Sequence, residues 1–260
     1  WTVSVAAIGT QTKIKLEMNG NANVVDTAPD GGSGIFTVDP SVEVTSPTAG
    51  TEVWKVGETQ NITWTINGTI TNVKIEYSTD GGATYPAGNV IVASTPAGGG
   101  TYPWVIPDAI GSQVKVRISD TAVPTRVDES DNNFNIKGRV VVSSPNGGDD
   151  YRINSSQVIT WEKFGTIGNV NIRYSTDGGA TYPNLITTVS VPASDLSYTW
   201  NPIPDVVTST AKVKIELESD PSDVFDVSDA DFFIRVAAAK TITRARLDQL
   251  AANQNINFNP

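Results

Sequence analysis

Two aspartates stand in identical surroundings along this chain. Asp80 lies in YSTDGGATYP, from Tyr77 to Pro86, and Asp177 lies in the same ten letters from Tyr174 to Pro183. A carboxylate in such a setting could be a catalytic acid, a calcium ligand or the brace of a turn. Hydrolytic acid–base work needs a second converging carboxylate or another base, and the motif supplies neither. Gly81 and Gly82 can take positive φ at little steric cost, so the chain can reverse tightly after Tyr77. Asp80 can then accept hydrogen bonds from the turn's own N–H groups, with Tyr85 folding back over the end of the core. Asp177, Gly178, Gly179 and Tyr182 repeat the arrangement. The spacing predicts a hairpin staple.

Other reactive side chains are scarce. The 260 residues contain no Cys and no His, which removes disulfides, thiolate nucleophiles, Cys or His metal sites and every imidazole-based triad. With 18 basic against 28 acidic residues the net charge is -10, which argues against nucleic acid and anionic lipid surfaces as partners. No apolar run is long enough to insert in a membrane. The chain also opens without a basic-then-apolar signal segment and reads as a mature or excised piece.

The elements that must position the two turns follow from the repeat. The motif S-x-D-x-G-x-T-aromatic is shared with the Asp-box of sialidase-type propellers, whose blades recur about every 40–50 residues. Here the copies lie 97 residues apart, Tyr77 to Tyr174, which is the length of a whole immunoglobulin-like sandwich. Landmarks keep nearly that spacing: Ser46-Pro47 and Ser144-Pro145, Trp64 and Trp161, Trp54 and Tyr151, Trp104 and Trp200. Within the repeats, apolar residues alternate with period two. Val73, Ile75 and Tyr77 fall on one face and Lys74, Glu76 and Ser78 on the wet face. Val170, Ile172 and Tyr174 match them, as do Val114, Val116 and Ile118 beside Val213, Ile215 and Leu217. The expected fold class is all-β, with tandem antiparallel sandwiches of about seven strands each.

The same series extends to the N-terminus. IGTQTKIKLE, Ile8 to Glu17, lines up with IGSQVKVRIS, Ile110 to Ser119, with Ile14, Leu16 and Met18 facing inward. The expected domains are therefore 1–39, the C-terminal half of a repeat; 40–137 and 138–236, two complete sandwiches; and 237–260, a tail. The half-repeat needs a neighbouring domain or a strand from another chain, or else marks a boundary inside a longer protein. In the tail, Leu247, Leu250 and Ala251 have helical spacing, while Ile256 and Phe258 alternate like a strand. The tail is either a loose terminus or a strand donated to the next subunit of a filament. The linkers NIKGR and DPS are too short for free rotation, which predicts a stiff array.

SPTAGTEVWKVGETQNITW, VKIEYSTDGGATY, TYPWVIPD and VKVRISD together resemble the tandem immunoglobulin/fibronectin-like repeats of large prokaryotic surface or secreted proteins. The opening part also resembles the N-terminal domain of fungal Ser/Thr-rich, GPI-anchored cell-wall proteins. These resemblances imply spacers, stalks, adhesins or surface-layer modules, an extracellular or cell-surface location and no shared catalytic residues.

Acidic residues gather where each repeat ends. Asp128, Glu129 and Asp131 in the first and Asp226, Asp229 and Asp231 in the second could offer oxygens to calcium, or could cap a strand edge. Asn61, Asn67 and Asn154 occupy N-x-S/T sequons, with Asn61 expected to be the least accessible because it adjoins a strand. Trp54, replaced by Tyr151 in the second repeat, is the best aromatic for ligand contact. No cofactor and no catalytic residue is expected. The expected function is that of a rod-like segment of a surface filament, stalk or array that associates with itself. An adhesin or carbohydrate-binding accessory module of a larger protein is the alternative.

Overall fold

Backbones at 9–12, 14–18, 21–28 and 36–237, and side chains from Asp39 to Ala237, are described by a computed structural model. The expectations for 238–260, and for the inward faces of Ile14, Leu16 and Met18, lie outside the described residues. The chain divides into two compact units: Trp1–Arg139 with Lys163–Ile167, and Val140–Glu162 with Gly168–Pro260.

In the first unit, β1 (Gly9–Thr12) and β2 (Ile14–Met18) precede β3 (Asn21–Ala28) and β4 (Phe36–Val38). β1 pairs antiparallel with β4, and β2 with β3. The sandwich itself uses β5 (Ser41–Ser46), β6 (Val53–Lys55), β7 (Thr59–Asn67), β8 (Asn72–Ser78), β9 (Val90–Pro96), β10 (Thr101–Val105), β11 (Gly111–Asp120), β12 (Val127–Glu129) and β13 (Phe134–Lys137). One sheet has the order β10-β7-β5 and the other β6-β13-β11-β8-β9, with β12 as an additional partner of β11. β6 runs parallel to β13, and the remaining pairs are antiparallel. β11 therefore meets β13 with its first half and β12 with its second, as β1 and β2 meet β4 and β3.

The second unit contains β14 (Arg139–Ser144), β15 (Asp150–Arg152), β16 (Gln157–Phe164), β17 (Asn169–Ser175), β18 (Asn184–Leu185), β19 (Val191–Pro192), β20 (Ser197–Trp200), β21 (Thr208–Leu217), β22 (Phe225–Val227) and β23 (Phe232–Arg235). Its sheets, β14-β16-β20 and β15-β23-β21-β17-β18, repeat the first unit's order, with β19 on β17 and β22 on β21. The edge differs: a seven-residue β9 is matched by two-residue β18 and β19. Each sandwich exceeds the expected seven strands because pieces of two or three residues, β12 in the first and β18, β19 and β22 in the second, are too short to show a period.

Alternation puts the apolar face of each sheet inward. Val73, Ile75, Val114, Val116 and Ile118 are fully buried in the first unit, as are Val170, Ile172, Val213 and Ile215 in the second. Trp54 is 7% exposed, which corrects the expectation that it is the best-placed aromatic for ligand contact: its ring meets Trp104 edge-on at 5.9 Å and Phe134 at 4.8 Å. Tyr151 takes the same place, 6.4 Å from Trp200 and 5.2 Å from Phe232. The buried Trp64 and Trp161 indoles donate to the Ala97 and Ala193 carbonyls at 2.8 and 2.9 Å, so neither N–H is stranded. A second correction concerns the wet face of β8, where Glu76 is 4% exposed and Ser78 is fully covered. Neighbouring cations cover one, and the turn that follows covers the other.

Removing the buried Ile75 side chain in Ile75→Ala should cost about 2–5 kcal/mol through lost transfer energy and the cavity left behind. Val105→Ala, at a position 63% exposed, should stay within about 0.5 kcal/mol. Urea unfolding followed by tryptophan fluorescence separates the two outcomes.

Candidate functional site: the aspartate turns and the acidic loops

The turn after β8 is built around a covered serine. Ser78 Oγ accepts from the N–H groups of Asp80 (3.2 Å) and Gly82 (2.9 Å) and donates to Asp80 Oδ1 (2.5 Å). A hydroxyl has one donor and two acceptor positions, so Ser78 is saturated and has no proton or lone pair left for nucleophilic chemistry. Asp80 in turn accepts from Thr84 N (2.9 Å) and Thr84 Oγ1 (2.6 Å). The second turn copies this with Ser175, Asp177, Gly179 and Thr181, each distance within 0.1 Å of its counterpart.

The glycines are required by conformation and by space. Gly81 and Gly82 have φ of 75° and 92°, Gly178 and Gly179 of 75° and 89°. A Cβ on Gly82 would lie 3.0 Å from Glu129 Oε2, and one on Gly179 would lie 2.9 Å from Tyr182 Oη. Gly81 N donates to Gln113 O at 2.8 Å and Gly178 N to Thr210 O at 3.0 Å, tying each turn to the long strand beside it. Arg117 lies 3.7 Å over the Tyr85 ring. Burial, with the nearby Glu129 carboxylate, pushes the Tyr85 phenol up.

The Ser78 hydroxyl, then Thr84, hold the Asp80 carboxyl well below the usual range, at about 2. Ser175 and Thr181 lower Asp177 in the same way. A group held ionised by its own turn is a poor proton donor near neutrality. Both aspartates act as acceptors that shape a loop.

The acidic loops are placed differently. Asp128 Oδ2 accepts from Val44 N at 2.8 Å, and Asp226 Oδ2 from Val142 N at 2.8 Å. Each carboxylate reaches from one sheet of its sandwich to an edge strand of the other and satisfies an N–H that no ladder partner meets. Asp229 Oδ2 accepts from Asn146 Nδ2 at 2.7 Å, and its N–H donates to Asn146 Oδ1 at 2.7 Å. Asp131 and Asp231 contribute backbone contacts, to Thr48 Oγ1 and from Gly148 N respectively. Among the described residues, no three acidic side chains come together in a way that could hold a metal ion. Asn61, Asn67 and Asn154 are all exposed. Asn61 lies within β7 rather than beside it, yet its side chain faces outward like the other two.

Sequence reasoning missed one charged arrangement in each unit. Glu76 accepts from Arg117 Nη2 at 3.0 Å and pairs with Lys74 Nζ at 2.5 Å. Glu216 meets Arg173 Nε at 2.8 Å and Lys214 Nζ at 2.7 Å. In both cases burial opposes ionisation, but the two cations outweigh it and the carboxyl pKa falls. The roles are transposed between strands. Arg117 faces Glu76 across β11 and β8, whereas at the equivalent register Lys214 faces Arg173, and the carboxylate sits two residues on, at Glu216. Alternate-residue charges on paired strands were the available signal, but they read as an ordinary solvated face. Beside the first cluster lies a groove of about 360 Å³ lined by Lys74, Glu76, Arg117, Asp120 and Val127. Its acids are already paired, Glu76 with Lys74 and Arg117, Asp120 with Arg126 at 3.2 Å.

No family model and no curated protein matches the chain. Among solved structures, it is similar to the fibronectin(III)-like modules of Clostridium thermocellum CbhA (17% identity, TM-score 0.29, covering 78% of this chain and 98% of that one). An I-band fragment from titin aligns at 8% identity and TM-score 0.32, covering 76% and 66%. Three N-terminal domains of the bacteriophage RB49 outer capsid protein Hoc align at 15% and 0.25, covering 75% and 59%. At such scores the likeness adds nothing to the strand order described above. Among the described residues, no helix is long and apolar enough to cross a membrane.

Carboxyl titration by NMR should place Asp80 near 2, below its ordinary 3.8. Because the folded value is the lower one, its contribution to stability is complete above the unfolded value and is lost as pH falls through about 2. Asp80→Asn should remove that part of the acid dependence. Asp128→Ala, which strands the Val44 N–H, should cost about 1–3 kcal/mol and speed amide exchange at Val44.

Proposed function

We propose that this chain is a segment of an extracellular structural protein, a surface filament, stalk or array whose copies associate with one another. The observation that carries this reading is that the one conspicuous motif is built twice, to within 0.1 Å, as a turn brace with no reactive group left over. Groups that could have done chemistry are engaged in holding loops and edges: Ser78, Asp80, Asp128 and Glu76 in one unit, Ser175, Asp177, Asp226 and Glu216 in the other. Such modules keep their shape under load and separate what lies on either side of them. The lack of Cys fits a design in which sheet packing, not cross-linking, supplies stability. The net charge of -10 keeps the surface well solvated.

Electron microscopy of native material should show filaments or arrays with a regular axial repeat, and solitary particles at all concentrations would overturn self-association. Pulling single molecules tests the mechanical part separately. Two unfolding events are expected, each releasing roughly 320–350 Å of contour for a repeat-sized domain. A single gradual extension without peaks would sink the load-bearing role.

A further inference from the structure

The described part of the chain contains two Asn-Gly pairs, Asn67-Gly68 and Asn146-Gly147, and the structure treats them in opposite ways. We infer that Asn67 is a site of spontaneous deamidation, whereas Asn146 is locked against it.

The chemistry is intramolecular. The backbone nitrogen of the following residue attacks the asparagine Cγ, a new C–N bond closes a succinimide, and the Cγ–Nδ2 bond breaks to release ammonia. Water then opens the ring at either carbonyl, leaving aspartate or isoaspartate. Glycine is the most permissive successor, because it has no Cβ to crowd the attack and its backbone explores the widest range. The side chain must also be free to swing its carbonyl carbon toward that nitrogen.

Asn67 meets these demands. It ends β7, is exposed, and is followed by Gly68 at φ 86° in the turn toward β8. Among the described residues its amide makes one long contact, Nδ2 to Ser41 Oγ at 3.5 Å. Asn146 is held at both ends of its amide: Nδ2 donates to Asp229 Oδ2 and Oδ1 accepts from Asp229 N, each at 2.7 Å. Attack by Gly147 would require both bonds to break first. The turn equivalent to Asn67-Gly68 in the other repeat reads Phe164-Gly165 and has no amide to lose.

The product matters for the fold around it. Deamidation at Asn67 adds one negative charge to a chain already at -10. Isoaspartate also inserts a methylene into the backbone where Asn67 pairs with Ser41, the last step of the β5–β7 ladder. A glycan on Nδ2 of the same sequon would occupy the leaving nitrogen, so the two modifications compete for one atom.

The test is timed incubation of the intact chain in alkaline buffer, with ion-exchange separation, peptide mass mapping and isoaspartyl detection. Asn67 should convert roughly tenfold or more faster than Asn146, whose two hydrogen bonds must open. Asn67→Gln should remove the isoaspartyl signal from its own peptide, and Asp229→Ala, which deletes the bond from Nδ2 but keeps the backbone N–H that donates to Oδ1, should raise the Asn146 rate severalfold. Equal rates in the unaltered chain, an intact Asn67 beside a converted Asn146, or no conversion at either would overturn the inference. If Asp229→Ala loses its fold, the order of conversion in the unaltered chain decides alone.

Discussion

Two apolar sheet faces pressed together leave no water between them, so every polar group caught there must find a partner inside the sandwich. That constraint decides where the polar residues of this protein sit. The Trp64 indole reaches a 3-10 turn carbonyl at Ala97, and Trp161 does the same at Ala193. Ser130 and Ser228, both fully covered, accept from Val116 N and Val213 N at 3.0 Å where those long strands change partners. Asp128 and Asp226 complete the edges of β5 and β14. None of these groups is placed for a ligand; each closes a gap in the ladder.

The two units satisfy the same constraint with different residues. Around the turns the solutions are letter-for-letter alike, because a covered serine, a carboxylate and two left-handed glycines admit few substitutes. On the adjoining sheet face the solution is a charge cluster, and there composition is kept while position is not. One carboxylate lies between two cations in each unit, on β8 in one and on β21 in the other. A burial site for charge needs balance and hydrogen bonds more than a particular order of side chains. The β9 edge shows a looser constraint still, since its counterpart is cut into two short pieces without disturbing the strand order.

This distribution bears on function through what it removes. Carboxylates in the turns are held ionised by their neighbours, and the acids of the closing loops are divided between edge N–H groups, an asparagine amide and backbone contacts. What is left, among the described residues, is a pair of sandwiches whose loop and turn carboxylates hold their own fold, on a chain of net charge -10.

Period-two alternation and the 97-residue spacing were enough to determine an all-β, tandem sandwich, because those signals arise from burial of one sheet face and need no long-range knowledge. The local turn was equally legible: Asp80 and Gly82 bond within the seven residues from Ser78 to Thr84, although Gly81 N reaches out to Gln113 O. Contacts between distant segments were not. Trp54 looked available because its partners, Trp104 and Phe134, lie 50 and 80 residues away. Glu76 and Ser78 looked wet because alternation assigns a face but cannot say what covers it. Asp128 was open to two readings, calcium or the cap of a strand edge, because the Val44 N–H that it meets lies 84 residues earlier. Composition and period follow from each residue's own preference for water, whereas the partner of a buried polar group exists only once two sheets have closed.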